Sequence, residues 1–429
     1  MNLSNQPPKG TSDWLPEEFK IRQFIFDAWR RVCQRYGYEE YLTPLVESAE
    51  IYRAKSGEDV GGKELVTFKD LGGRELSIRP EMTPSVTRLV SRIYEARPKP
   101  IRYFSIANFM RNEKPQRGRN REFWQLNCDI FGSNSLSADV EILQIALDIM
   151  LELGAPKKSF VLAINSRKLL DGIFDLMSVS IKDKTTFFRI LDKYKKINSK
   201  EFINRLENLG ADKVAINQVS KFMKNAETNP YGLEKLIDAT PTLKSAYQEI
   251  KNVIDTLVGL GYDRNFIEFN PAIIRGFDYY DGLVFEVFDK NAKNNRAMFG
   301  GGRYNGLANI FGAKTFPAVG FAPGDETTRL FLESWGLTKQ IKAMAKDIYY
   351  LPLLDKSLTK PTAKLAKILR AQGLNVVADL EEQKINKALE YANKQSFTKV
   401  VIFGSEELKK KVYKIKDMAN GKEKNISLK

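Results

Sequence analysis

Apolar residues recur along this chain at two periods, every three to four positions in some stretches and every second position in others, and these periods set the expected elements. Residues 17–36, EEFKIRQFIFDAWRRVCQRY, place Phe19, Phe24, Ala28, Trp29, Val32 and Tyr36 at helical spacing, with Ser12 or Asp13 as cap and Gly37 as stop. YLTPLVES is a short extended segment whose Pro44 belongs at an edge or a break. LVTFKDLGGRELSIRP predicts a hairpin turning at Gly72-Gly73. Thr83-Pro84 then opens a helix to about Tyr94, threonine as cap and proline in the first turn. FSIANFMRNEKPQRGRNREFWQLNCDIFG (Phe104 to Gly132) predicts a strand, a basic loop and a second strand. In that second strand Trp124, Leu126, Cys128 and Ile130 point one way, and Phe123, Gln125, Asn127 and Asp129 the other. An apolar-striped helix over 137–153 ends at Gly154.

From about Asp171 to Leu260 glycine and proline become rare, and Lys, Leu, Ile and Asp at helical spacing predict an inserted helical module. Strand character returns with LVFEVF (Leu283–Phe288), MFGGGRYNGL and AVGFAPGDETTRLFL. After a polar link near 336–346, DIYYLPLL, TAKLAKILRAQG, LNVVAD, INKALEYANKQS and KVVIFG alternate strand and helix, the mark of an α/β layer domain.

Composition narrows the chemistry. A chain of 429 residues holds two or three domains, and 43% hydrophobic with 28% charged residues suits a soluble globular protein. No apolar run is long enough to cross a bilayer, and MNLSNQPPKGTSDW lacks a secretory layout. Cys33 and Cys128 give no disulfide framework or Cys-based metal site, so a cytoplasmic protein is expected. The net charge is +15, and roughly half of the excess falls in residues 345–429. That points to a polyanionic partner, nucleic acid first, although a solvated lysine-rich surface explains the charge equally well. The histidine count is zero. Ser-His and Cys-His catalysis and His-based metal sites are therefore excluded, leaving carboxylates, arginines, hydroxyls and oxygen-bound Mg²⁺.

Four stretches carry candidate chemistry, each with a bland alternative. The basic loop between the strands can clamp phosphate oxygens through Arg111, Arg117, Arg119 and Arg121, while Gln125 and Asp129 share one strand face; an amphipathic strand with a solvated loop reads the same way. SIRPEMTPS puts Glu81 and Thr83 where a strand hands over to a helix, suited to an ammonium group or simply to a helix start. IIRGFDYYDGLVFEVF sets Arg275 and Tyr279-Tyr280 before a buried strand, where a bulge with aromatic packing would also fit. FGGGRYNG, ahead of Arg303, is neither a P-loop nor a dinucleotide fingerprint, and a tight turn accounts for it.

Taken in order, RPEMTPS, MRNEKPQRGRNREFWQLNCDIFG, RGFDYYDGLVFE, FGGGRYNGL and the closing α/β domain resemble the histidyl-tRNA synthetases, a family of class II aminoacyl-tRNA synthetases, over nearly the whole chain. The resemblance implies an α+β catalytic domain, an antiparallel sheet flanked by helices, in two parts (1–165 and 263–336). A helical insertion (166–262) and a C-terminal α/β anticodon-binding domain (345–429) complete it. It also implies a homodimer formed through the helix at 17–36 and the strand around Pro44. The implied reaction activates L-histidine with ATP and Mg²⁺ to histidyl-adenylate, then transfers it to the 3′ end of tRNA(His), with no tightly bound protein metal.

Carried over by position, Arg111 and Arg275 are the catalytic arginines. Glu81, Thr83 and Gln125 grip the substrate ammonium, and Asp129, Tyr279 and Tyr280 line the histidine site, with Asp129 and Tyr280 reading the imidazole. Glu113, Arg119, Arg121 and Phe123 join Arg111 around ATP. Many family members have glutamate at the Asp129 position, so the shorter side chain needs a deeper-seated ring or a water. In GFAPGDETTRL, Thr327 stands where the family has an arginine on the ATP γ-phosphate; either Arg329 or Arg303 substitutes, or the triphosphate grip is weaker. Two non-charging alternatives share the core: a regulatory subunit of the ATP phosphoribosyltransferase type and a tRNA-sensing pseudo-synthetase.

Overall fold

The predicted first helix forms as α1 (Pro16–Arg35), but Leu15, not Ser12 or Asp13, is its N-cap, and no side chain caps it. Pro16 at the first position explains this: it has no N–H to satisfy and its φ is already helical. Ile25, Ala28, Trp29 and Val32 on its buried face are fully covered, Ile25 and Val32 each contributing roughly 1.5–3 kcal/mol. The computed structural model describes residues 3–54, 59–176, 183–194, 197–228, 241–273, 279–294, 297–343 and 347–428. The chain divides into a unit of residues 1–341 and a unit of residues 342–429.

The first unit is built on eight strands. In chain order they are β1 (Glu39–Glu40), β2 (Ile101–Met110), β3 (Glu122–Phe131), β4 (Phe160–Ser166), β5 (Ile267–Phe269), β6 (Leu283–Asp289), β7 (Ala297–Arg303) and β8 (Ala318–Pro323). Their spatial order is β1-β2-β3-β8-β7-β6-β4-β5. The central six pair antiparallel, as expected; the short edge strands β1 and β5 pair parallel, so the sheet is mixed. β2 and β3 pair without a break from Ile101↔Phe131 to Met110↔Glu122, which puts the basic loop at one end of the sheet. One face is covered by α1, by α3 (Leu136–Glu152), and by α4 (Asp325–Ser334). α3 is capped by Ser135, which accepts from the Ala138 N–H.

A small antiparallel sheet of Val46–Ser48, Glu75–Ile78 and Val66–Lys69 contains the predicted hairpin, with Gly73 at φ 76° in its turn. Helix α2 (Thr83–Ile93) follows, but Met82 is its N-cap and makes no side-chain cap bond. Thr83 is thus inside the helix rather than capping it. Between β4 and β5 come five described helices: Arg167–Leu176, Lys184–Asp192, Ser199–Asn208, Lys213–Thr228 and Pro241–Gly259. The last packs on the first, on α3 and on β4 and β5, so the insert shares its hydrophobic core with the sheet.

The second unit has the predicted strands Asn375–Glu382, Ile348–Leu353 and Lys399–Ile402, which pair parallel, and the predicted helices Thr359–Ala371 and Ile385–Lys394. Two antiparallel strands, Val412–Asp417 and Glu423–Ser427, extend it beyond the expected pattern.

Candidate active site

The face of β3 that carries Phe123, Gln125, Asn127 and Asp129 opens onto a cavity of about 1330 Å³. The opposite face buries Leu126, Cys128 and Ile130 in the core under α1 and α3, so the period-two pattern sorts the two sets as expected. Glu81, Thr83, Arg111, Glu113, Arg119, Tyr279 and Tyr280 line the same cavity. With Gly300 and Tyr304 on its lining as well, residues from all four candidate stretches converge on one hollow.

Asp129 lies at its buried end, 2% exposed. On the neighbouring strand β8 its register partner is Gly320, and a Cβ there would stand 1.9 Å from Asp129 Oδ1. Glycine at 320 is what leaves room for the carboxylate. Tyr304, just after β7, donates its hydroxyl to Asp129 Oδ1 at 2.6 Å, while Oδ2 is buried with no hydrogen-bond donor among the described residues. Burial pushes the Asp129 carboxyl up to about 7, partly countered by the Tyr304 hydrogen bond. A buried carboxylate with one oxygen fixed and the other awaiting a donor is a receptor for an N–H group.

Tyr304 itself escaped the sequence reading; its signal was its place two residues beyond the triple glycine. Those glycines are not a tight turn, as expected of FGGGRYNG, but lie inside β7. A Cβ on Gly301 would meet Gly320 O at 2.1 Å, and one on Gly302 would meet Tyr280 Cδ1 at 2.8 Å. Tyr280 packs on Tyr279 with ring centroids 4.9 Å apart, and Tyr279 donates to Glu81 Oε2 at 3.0 Å. The aromatic pair thus ties the start of β6 to the Glu81 corner.

At the loop end, Arg111 donates Nε–H to Pro80 O at 2.9 Å, and its guanidinium lies 5.1 Å from the Phe123 ring centroid. Arg119 pairs with Glu113 at 2.8 Å. Gln125 reaches across to Ala322 O at 3.4 Å. Arg275 lies outside the described residues.

Three expected ATP ligands do not line this cavity. Arg121 donates to Glu113 O at 3.2 Å and lines a smaller hollow behind the loop; its stem packs where a Cβ on Gly10 would be. Arg303 is buried against Asp139 and the carbonyls of Ser133 and Ser135, a cation neutralised inside the fold. Arg329 is paired with Glu326 and Glu333 along α4. Neither arginine takes the place expected at Thr327. The cavity wall instead includes Thr327 and Lys293, along with Leu191 and Tyr194 from the insert's second helix and its following turn.

The family model described as "Histidyl-tRNA synthetase" matches residues 10–325, and that of an anticodon binding domain matches residues 347–429. A protein of Leptospira biflexa named Histidine–tRNA ligase is 38% identical over 97% of this chain and 94% of its own length. Its namesake in Pyrococcus furiosus is 37% identical over 98% and 96%. The crystal structure of histidyl-tRNA synthetase from a Nostoc species shares the fold, with TM-score 0.79 at 22% identity over 99% of this chain and 97% of that one. With the family model covering most of the chain and full-length relatives well above 30% identity, the chain belongs to the histidyl-tRNA synthetase family.

Proposed function

We propose that this chain is a histidine–tRNA ligase: it activates L-histidine with ATP to histidyl-adenylate and transfers the histidyl group to the 3′ end of tRNA(His). The observation that carries the reading is Asp129, buried at the end of the cavity with Oδ1 held by Tyr304 and Oδ2 without a hydrogen-bond donor among the described residues. A ring N–H of histidine completes it, and the Tyr280 hydroxyl donates to the other ring nitrogen. The substrate ammonium sits against Glu81, Thr83 and Gln125, with Tyr279 steadying Glu81.

This places the histidine carboxylate toward Arg111 and the α-phosphate of ATP. The attacking oxygen is already ionised, so no protein base is needed and a histidine-free chain can run the reaction. Catalysis is positioning and charge stabilisation: the carboxylate oxygen bonds to phosphorus as the bond to pyrophosphate breaks. Arg111 and Arg275 balance the charge that builds on the phosphoryl oxygens. Adenine stacks on Phe123, with Glu113 and Arg119 beside it. Magnesium arrives with ATP as part of the substrate complex. The hydroxyl at the tRNA 3′ end then displaces AMP from the adenylate.

The domain at 347–429 supplies the anticodon contact, and cationic residues on its surface favour the phosphate backbone. Leu42 and Leu45, 69% and 42% exposed in the segment after β1, mark the expected contact of a homodimer. No described helix is long and apolar enough to cross a membrane, and the setting we assign is the cytoplasm. Transfer of labelled histidine to a tRNA(His) transcript by the purified chain tests the reading. Charging supports it; absence of both charging and histidine-dependent ATP–pyrophosphate exchange would favour a tRNA-sensing or regulatory relative.

A further inference from the structure

We propose that Lys293 holds the far end of the ATP polyphosphate, supplying from the β6–β7 turn the charge that Thr327 cannot. The inference rests on the proposed reaction and specifies how its nucleotide is gripped. Thr327 lines the cavity from the first turn of α4, and its hydroxyl is committed to Met298 O at 2.9 Å and Gly324 O at 3.1 Å. The arginines nearest in sequence are held elsewhere, Arg329 by Glu326 and Glu333 and Arg303 by Asp139. Arg119 has part of its charge balanced by Glu113.

Lys293 lines the same cavity, its side chain is exposed, and it makes no ion pair among the described residues. Its backbone, by contrast, is held firmly. The Lys293 N–H donates to Asn291 Oδ1 at 3.1 Å, and Asn291 N–H donates to Asp289 Oδ1 at 2.8 Å. Asp289 Oδ1 also accepts from Trp335 Nε1 at 2.9 Å, and Asn294 Nδ2 donates to Ser334 Oγ at 3.0 Å. The turn is thereby pinned to the C-terminal end of α4, the helix whose first turn presents Thr327, and Thr327 in turn is bonded to Met298 on β7. One hydrogen-bonded frame thus carries both the uncharged position and a compact cation on a flexible stem. An ammonium so mounted acts as a point charge for phosphate oxygens and needs no fork geometry.

The test is histidine-dependent ATP–pyrophosphate exchange by the full-length chain and its variants. Lys293→Met raises KM for ATP by about tenfold or more and leaves KM for histidine unchanged, the loss expected of one charged hydrogen bond. Lys293→Arg retains KM for ATP, and adding Thr327→Arg to Lys293→Met restores it. Competition by AMP, which lacks the outer phosphates, is the same in all variants. An unchanged KM for ATP in Lys293→Met overturns the proposal, as does a parallel rise in KM for histidine or in the inhibition constant for AMP. Failure of the unaltered chain to exchange would instead sink the proposed reaction, and this grip with it.

Discussion

At the residue scale the account turns on Asp129. Its folded carboxyl value, about 7, lies above the ordinary 3.8, so the folded state holds the proton more tightly than the unfolded chain. That contribution to stability is fully present below about pH 4 and is lost as pH rises to about 7. Asp325, pushed up to about 6 by burial against the opposing pull of Arg22, adds the same sign over a narrower window. Asp129→Asn should therefore flatten the fall in thermal midpoint of the ligand-free protein between about pH 4 and 7; an unaltered slope would contradict the burial argument. The same variant should raise KM for histidine by about 100-fold, and Tyr304→Phe by about tenfold, since each leaves a buried polar group unpaired. Steady-state exchange kinetics measure both. Asp129 and its strand-mates were legible because alternation alone sorts β3 into two faces. Tyr304 was not, because its role depends on a hydrogen bond across 175 positions of chain that no local pattern encodes. Arg303 misled for the same reason, since the Asp139 that neutralises it lies 164 positions away. Arg329 is different: Glu326 and Glu333 stand three and four positions away on its own helix, a pairing that local spacing does encode.

At the element scale, β7 and β8 show why a glycine run need not be a turn. Gly301, Gly302 and Gly320 sit within paired strands, where a side chain would strike a neighbouring backbone, the Tyr280 ring or the Asp129 carboxylate. Gly320→Ala should abolish histidine binding, measured by calorimetry, and lower stability by about 1–3 kcal/mol as the strand and carboxylate shift to relieve the overlap. Retained affinity would mean that the cavity is not where the ring binds. Helix positions and the glycine stops at Gly37 and Gly154 were read well, whereas N-caps were not. Proline in the first turn draws the helix start to its own neighbour, so α1 begins at Pro16 after Leu15 and α2 leaves Thr83 facing the cavity. The last two strands of the second unit were missed because Lys414 and Lys416 alternate with Tyr413 and Ile415 in a run that reads as simply basic.

At the scale of the whole molecule, the order of motifs disclosed the architecture before any contact was known, because four weak signals that must meet in one cavity constrain each other more than any one alone. What it did not disclose is that the helical insert is partly structural. Pro241–Gly259 packs on β4, β5 and α3, and the insert also gives the cavity Leu191 and Tyr194, so it is not an independent appendage. Within residues 409–416 of the second unit, Lys410, Lys414 and Lys416 are paired with Glu406, Glu407 and Glu423, while Lys409 and Lys411 are exposed cations with no ion pair among the described residues. Lys409→Glu with Lys411→Glu should weaken tRNA binding and reduce its salt dependence while sparing exchange; equal affinity at all salt concentrations would remove this surface from the tRNA contact.

The central claim, that one cavity joins the ring of histidine to the α-phosphate of ATP, is tested most directly by ATP–pyrophosphate exchange with each of the twenty amino acids in turn. The account predicts exchange with histidine alone, abolished by Arg275→Ala in a protein that still folds. Exchange driven by a different amino acid, or near-normal exchange in Arg275→Ala, would contradict it.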